Sequence, residues 1–455
     1  MGLENAKRIL VVATWGLPSP WRKVNYLLEV KPPSIEEWGK YSEWQPYDGK
    51  PIPSYSTTVA LIKALEESGW STKALIFGLE TLTSSSAGGD NEKKDVNQKH
   101  SEIVGRLCGN IPSCLRDAAR EILNLWVKKY FEDMMDKVAG IHILPGAGVY
   151  NITCNSGKRV FKYNNSPLLF SFLFEYIVFK SLLELKPDAV ILDITHGVNY
   201  MPSLAIRSIE RPVKVYSALS SGEVGLAVTN SDPVQQNTQE STIHFVMVKR
   251  ISEEPLPLLR EISDIVIENA KGKLYYMRRP EKPQSIGLKS LDELKQKVKT
   301  LKEDLKVISK AYDYGLALYL IEKLTQEYDV KIPDFEEIVW NECNIESKDS
   351  EVTISREYIL DQDLIMSIIY AKDLLSKVRQ SIGKEINYTV INNEYNLYSI
   401  ECLKKICIKY IGKLLLEYEL DSIRENIKEL LTGDQIYPPA SDGYAVIKAG
   451  LPHML

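Results

Sequence analysis

The sequence predicts an α/β fold followed by an all-α region, and three observations carry that reading. Short apolar runs alternate with helical patterns from residue 1 to about 250, the signature of a mostly parallel sheet covered by helices. One of those runs, A-V-I-L at 189–192, is apolar throughout, as a strand buried on both faces must be. Beyond residue 250 the strand signals stop, and apolar residues recur at spacings of three and four.

Strands are expected at 8–14, 73–77, 140–144, 189–194, 213–218 and 243–248, with helices at 56–68, 116–137, 167–185 and 201–208 between them. The stretch 17–53 is rich in proline and tryptophan and reads as a long, structured loop over the sheet edge. Residues 84–94, S-S-S-A-G-G-D-N-E-K-K, are polar and glycine-containing and read as mobile. A connector at 251–287 holds a helix at 258–269 and the stretch K-L-Y-Y-M-R-R-P, whose interleaved aromatic and basic residues suit either a solvated strand or a ribbon touching RNA. Leu291, Leu294, Val298, Leu301, Leu305, Ile308 and Tyr312 predict one amphipathic helix over 290–328. Further helices are expected at 335–345, 361–381, 394–418 and 421–431. The expected organisation is an α/β domain at 1–250, the connector at 251–287 and a helical domain at 288–455.

At 455 residues the chain exceeds one ordinary core. A net charge of -5 gives no global reason to bind nucleic acid and leaves room only for a local basic groove. The six cysteines form no C-x-x-C pair and have no histidines at zinc spacing, so they read as reduced thiols, and no metal site is expected. The chain opens M-G-L-E-N-A-K-R without a signal peptide, and its longest apolar stretch, 167–185, is broken by Ser171, Glu175, Lys180 and Ser181. A cytoplasmic protein without a membrane span is expected.

The stretch D-I-T-H-G-V-N-Y-M-P, Asp193 to Pro202, follows the buried strand and runs into a helix. Ligands of open α/β sheets bind at strand carboxyl ends, and a helix N-terminus there favours anions. Asp193, Thr195, His196, Gly197 and Asn199 gather polar side chains and backbone N–H groups at that elbow. Thr14, Trp15 and Gly16 close the first strand, Gly146, Ala147 and Gly148 make a third turn, and Ser220, Ser221 and Gly222 a fourth. A phosphate-bearing ligand is the expectation. The alternative is a turn in which Asp193 and Thr195 only cap the helix, with Trp15 packing and not stacking on a base.

The strand R-I-L-V-V-A-T-W-G, the D-x-T-H-G-x-N-x-x-P motif and the helical C-terminal region together resemble the CRISPR-associated type III ancillary ribonucleases, in which a Rossmann-like sensor domain, CARF, precedes a helical HEPN ribonuclease domain. The resemblance implies a homodimer, or a higher oligomer, whose paired sensor domains bind a cyclic oligoadenylate, typically cyclic tetra-adenylate, as allosteric activator. It also implies metal-independent cleavage of single-stranded RNA. Thr14, Trp15, Gly16, Gly146, Ala147, Gly148, Asp193, Thr195, His196, Gly197 and Asn199 are then the ligand-binding residues.

HEPN enzymes carry an arginine followed a few residues later by a histidine; the arginine stabilises phosphorane charge and the histidine moves a proton at the 2'-hydroxyl or leaving oxygen. This chain has no histidine between His244 and His453. The nearest match is S-R-E-Y-I-L-D-Q-D-L, which makes Arg356 and Asp361 the candidate catalytic pair. A carboxylate at that place repels the RNA phosphate and gives no cationic donor near neutral pH. Natural degeneration, an engineered change or a motif lying elsewhere all remain open. The chain is expected to bind activator and to cleave RNA poorly. A binding-only sensor stays open, as does a ring nuclease in which Lys23 or Ser220 organises in-line attack on the activator.

Overall fold

β1 (Arg8–Thr14) lies inside an eight-stranded sheet in the computed structural model, which describes residues 7–85, 91–154, 157–198, 200–235, 237–269, 274–277, 286–313, 320, 323–324, 330–356, 358–385, 388–391, 395–399 and 444–448. Its R-I-L-V-V-A-T sequence is β-branched and apolar, and six of its seven residues are buried. The remaining strands are β2 (Val24–Leu28), β3 (Val30–Lys31), β4 (Gln45–Pro46), β5 (Ile52–Ser54), β6 (Ser71–Leu79), β7 (Val138–Leu144), β8 (Gly148–Cys154), β9 (Gly157–Asn164), β10 (Ala189–Asp193), β11 (Val224–Ser231) and β12 (Glu240–Ile251). Helices α1 (Thr57–Glu67), α2 (Lys94–Gly109), α3 (Arg116–Phe131), α4 (Pro167–Leu185) and α5 (Met201–Ser220) connect them.

The sheet order is β5-β2-β12-β11-β10-β1-β6-β7, with β7, β6, β1, β10 and β11 parallel and β12 antiparallel to β11. The chain winds from β1 outward through β6 to β7, then returns to β10 and winds the other way to β11. Right-handed crossovers therefore put α1–α3 on one face and α4 and α5 on the other. Alternate residues serve the two faces: Ile9, Val11 and Ala13 share a core cluster with Leu61 and Leu65 of α1 and Ile122 and Trp126 of α3. The direction of winding reverses between β1 and β10, which opens a crevice at their carboxyl ends.

By contacts the chain divides into two units, residues 1–253, 274–291 and 333–362 in the first and 254–273, 292–332 and 363–455 in the second. Within the first, β14 (Cys343–Lys348) and β15 (Glu351–Arg356) extend the β8–β9 hairpin into a four-stranded sheet of order β14-β15-β9-β8, with β15 parallel to β9. β13 (Tyr275–Met277), from the aromatic and basic stretch of the connector, pairs antiparallel with Tyr358–Leu360. In the second unit, the helix Pro255–Asn269 is tied to Ile286–Asp313 by Arg260 and Asp313 (3.0 Å) and by Ser309 and Asp264 (3.4 Å). The apolar row Leu291 to Ile308 is buried as its spacing requires.

Several expectations change. Residues 213–218 belong to α5, which continues through Pro212 to Ser220, and the strand pairing with β10 is β11. V-K-V-Y-S-A alternates as a strand does, but no turn precedes it to end the helix. The loop expected at 17–53 contributes β2 and β5 to the sheet, and α2 begins at Lys94, where mobility was expected; residues 86–90 lie outside the described residues. The C-terminal region is not all-α. The helix expected at 335–345 ends at Asn341 and gives way to β14, and a three-stranded sheet joins Tyr388–Ile391, Tyr395–Ser399 and Tyr444–Lys448. The rest of the helix expected at 394–418 and that at 421–431 lie outside the described residues. The two units interleave along the chain, whereas the sequence reading cuts it linearly at 250 and 288. The thiols are not all reduced: Cys108 and Cys154 form a disulfide, while Cys114 and Cys343 are free. No helix among the described residues is long and apolar enough to cross a membrane.

Candidate functional site

The crevice between β1 and β10 is organised by Asp193, which ends β10 with 1% of its surface exposed. Its Oδ2 accepts hydrogen bonds from Thr57 Oγ1 (2.8 Å) and Thr58 Oγ1 (2.7 Å), and its Oδ1 accepts one from the Thr195 N–H (3.1 Å). A buried carboxylate requires such donors, and these bind the strand end to the first turn of α1. Thr195 Oγ1 in turn accepts the Ser231 N–H (3.1 Å), which fastens the elbow to the end of β11. β11 and β12 shift register beside this point, between Val228 and Thr229, as bulges near ligand sites often do.

His196 Nε2 accepts the Thr57 N–H (3.1 Å) at the start of α1. An accepting Nε2 makes the ring neutral with its proton on Nδ1. Burial agrees, holding this imidazole down to about 4 against the smaller raising influence of Asp193. The His196 ring stacks on Trp21 with centroids 3.8 Å apart and planes 18° apart, Trp21 stacks on Tyr130, and Tyr130 on Tyr55. Lys93 secures the loop that carries Trp21: its Nζ donates to the carbonyls of Ser19 (2.7 Å) and Trp21 (2.6 Å).

The elbow and the end of β1 touch closely. The Gly16 N–H donates to the His196 carbonyl (2.7 Å), and a Cβ on Gly16 would sit 2.3 Å from Val198 Cγ1. A Cβ on Gly197 would lie 2.6 Å from Thr14 Oγ1. Both glycines are thus fixed by close approach. Beside them opens a cavity of about 650 Å³, within the usual range for small-ligand sites. Trp21, Arg22, Tyr26, Tyr55, Thr195 and His196 line it, with the segment 230–235 closing one side.

Of the residues expected to bind ligand, Thr195 and His196 line this cavity, and Asp193, Thr14, Gly16 and Gly197 shape it from beneath. Asn199 lies outside the described residues. Trp15 does not offer a stacking face: it is 1% exposed, packed on Trp21 and Phe131, and its Nε1 donates to Thr58 Oγ1 (3.0 Å). The turn at Gly146, Ala147 and Gly148 follows β7 at the far edge of the sheet and does not line the cavity. Its Gly146 N–H is taken by Glu80 Oε1 (3.0 Å), and Gly148, at φ +125, is a glycine by conformation. Ser220 and Ser221 end α5 at the amino end of the parallel strands, opposite the crevice, where β11 begins. Lys23 is exposed and does not line the cavity.

Arg356 is corrected most sharply. It is 1% exposed, and its guanidinium donates to Glu80 Oε1 (3.0 Å) and Oε2 (3.2 Å) and to the Val339 carbonyl (3.1 Å) while lying 4.6 Å from the Trp340 ring centre. Burial disfavours the charge, but the Glu80 carboxylate together with the nearby Cys343 and Cys114 offsets this and leaves the guanidinium above its usual range. A group so enclosed is not presented to an RNA phosphate in this structure. Asp361 stands at the start of the helix Gln362–Glu385, its N–H donating to the Leu274 carbonyl (2.8 Å).

Trp21, Arg22, Tyr26 and Tyr55 were missed as lining of the cavity. A proline-bounded tryptophan before the alternating strand K-V-N-Y-L-L is the one signal that could have pointed to them.

Residues 10–233 match the model of a family described as CRISPR system endoribonuclease Csx1, CARF domain. The matched residues run from β1 past β11 and include the elbow and most of the cavity lining. The match supports a CRISPR type III protein with an α/β, Rossmann-like CARF domain, the kind of domain that receives cyclic oligoadenylate signals. No curated protein matches the chain.

Proposed function

We propose that this chain is a CRISPR type III antiviral effector that binds cyclic tetra-adenylate at the β1–β10 crevice of a homodimer, in the cytoplasm. The observation that carries the reading is the cavity beside Thr195 and His196, within the CARF match and at the point where the winding of the sheet reverses. A ring with two-fold symmetry suits two copies meeting at this edge, each taking half of it. Ligand there biases the placement of the two copies, and the C-terminal unit responds.

The response proposed is metal-independent cleavage of single-stranded RNA, as the family description as an endoribonuclease suggests, weak or absent in this chain. Two observations favour the binding-only sensor as second reading: no histidine lies between His244 and His453, and Arg356 is locked to Glu80. The ring-nuclease reading loses support, because neither Lys23 nor Ser220 lines the cavity. Incubation with cyclic tetra-adenylate and labelled single-stranded RNA tests all three. Activator-dependent RNA loss is the ribonuclease result, binding without RNA loss is the sensor result, and loss of the ring itself would overturn both. No binding would sink the proposal.

A further inference from the structure

Three side-chain donors that line the cavity have no acceptor among the described residues. Trp21 Nε1 carries a hydrogen that no described group accepts, although both Trp21 backbone polar groups are bonded. His196 has its Nε2 engaged by the Thr57 N–H, which leaves the Nδ1–H as donor. Tyr26, 2% exposed, presents a hydroxyl without a described partner, and burial together with nearby Asp193 pushes its phenol up, so the proton stays on. Three donors without a described protein acceptor around one partly open cavity point to an acceptor supplied by a ligand.

The other charges around this space fit an anion. Arg22 adds a cation at the rim. The one carboxylate in the lining, Asp232, is already engaged: Oδ1 lies 3.2 Å from His244 Nε2, and Oδ2 accepts the Thr242 N–H (3.3 Å). The Trp21 and His196 rings lie nearly parallel with centroids 3.8 Å apart, so their two donors belong to one stacked unit in the lining of the cavity.

We infer that Tyr26 Oη, Trp21 Nε1 and His196 Nδ1 form a phosphate subsite that grips the ligand backbone by neutral hydrogen-bond donors. The inference rests on the cyclic-nucleotide reading for the ligand's identity but not for the anion itself. Neutral donors confer a further property: affinity does not require a protonated histidine and stays flat between about pH 6 and 8, where an exposed imidazole would titrate.

The test uses the full chain, titrated calorimetrically with cyclic tetra-adenylate. Trp21→Phe keeps an aromatic ring for stacking while removing the N–H along with one of the two fused rings, and Tyr26→Phe removes only the hydroxyl. Each is expected to weaken binding about ten-fold or more, because bonds to an ionised acceptor are the strong ones. Adenosine, which has no phosphate, should bind all three proteins alike, and unchanged melting of the unliganded variants would exclude a folding cause. Wild-type affinity in both variants, or an equal loss for adenosine, overturns the subsite while leaving the cyclic-nucleotide reading intact. If the wild type ignores the ring, AMP is compared with adenosine. A preference for AMP that Trp21→Phe abolishes supports the subsite alone, and no preference overturns it.

Discussion

At the carboxyl end of β10, Asp193 and Thr195 commit their hydrogen bonds to shaping an elbow beside an open cavity, whereas beyond β6 and β7 the buried carboxylate is paired with a guanidinium. There Glu80 accepts from Gly146, Asn165 and Arg356 at once, and Arg116 and Arg356 lie 5.2 and 4.6 Å from the ring centre of Trp340. Both regions are glycine-containing strand ends with a buried carboxylate at the base. The difference is that space is left open beside the first carboxylate, while a cation fills it beside the second.

The sharpest way to break that contrast is Arg356→Met. Leaving Glu80 buried without its cation should cost about 3–5 kcal/mol in urea unfolding. Unchanged stability together with lost RNA cleavage would instead make Arg356 an accessible catalytic group. By the same logic Asp361→His should not raise activator-dependent RNA turnover, and a clear gain would reinstate the pair. The disulfide is next in size. It closes a separation of 46 residues, and reduction or Cys154→Ser should lower stability by about 2–4 kcal/mol, visible as a lower melting temperature in reductant.

Acid should act on both regions through histidines. Burial holds His196 and His142 each to about 4, so the unfolded chain binds more protons below its usual histidine range. Stability is therefore full above about pH 6.5 and falls as pH drops toward 4. His142, stacked on Phe77, should tolerate replacement by Phe, which is expected to flatten that slope in melts across pH. The smallest effect belongs to Thr58→Val, which removes one bond to Asp193 and the acceptor for Trp15: about 1–2 kcal/mol of stability, with the phosphate donors untouched and ring affinity changed several-fold less than by Trp21→Phe.

What could be read from the sequence follows the range of the interactions. β1, α4, β10 and the elbow announce themselves because apolar runs, Pro167 at a helix start and D-x-T-H-G are local signals. Trp21 and Tyr26 reach the site because β2 leaves the proline-rich stretch to pair with β12, Asn25 opposite Glu240, and no local pattern encodes that pairing. The burial of Arg356 was out of view for the same reason: its partner Glu80 is 276 residues away, while a short motif with Asp361 was near at hand. α5 was cut short because its alternating second half obeys either period, and only packing against β10 and β11 decides.

The parallel pairing of β15 with β9 has a consequence for synthesis. During translation the nascent chain presents β8 and β9 as an open edge, with Glu80 lacking its counter-charge, until residues near 356 have left the ribosome. A truncated product stopped near 250 would keep that edge bare and favour aggregation, so the N-terminal half is ill-suited to being expressed by itself.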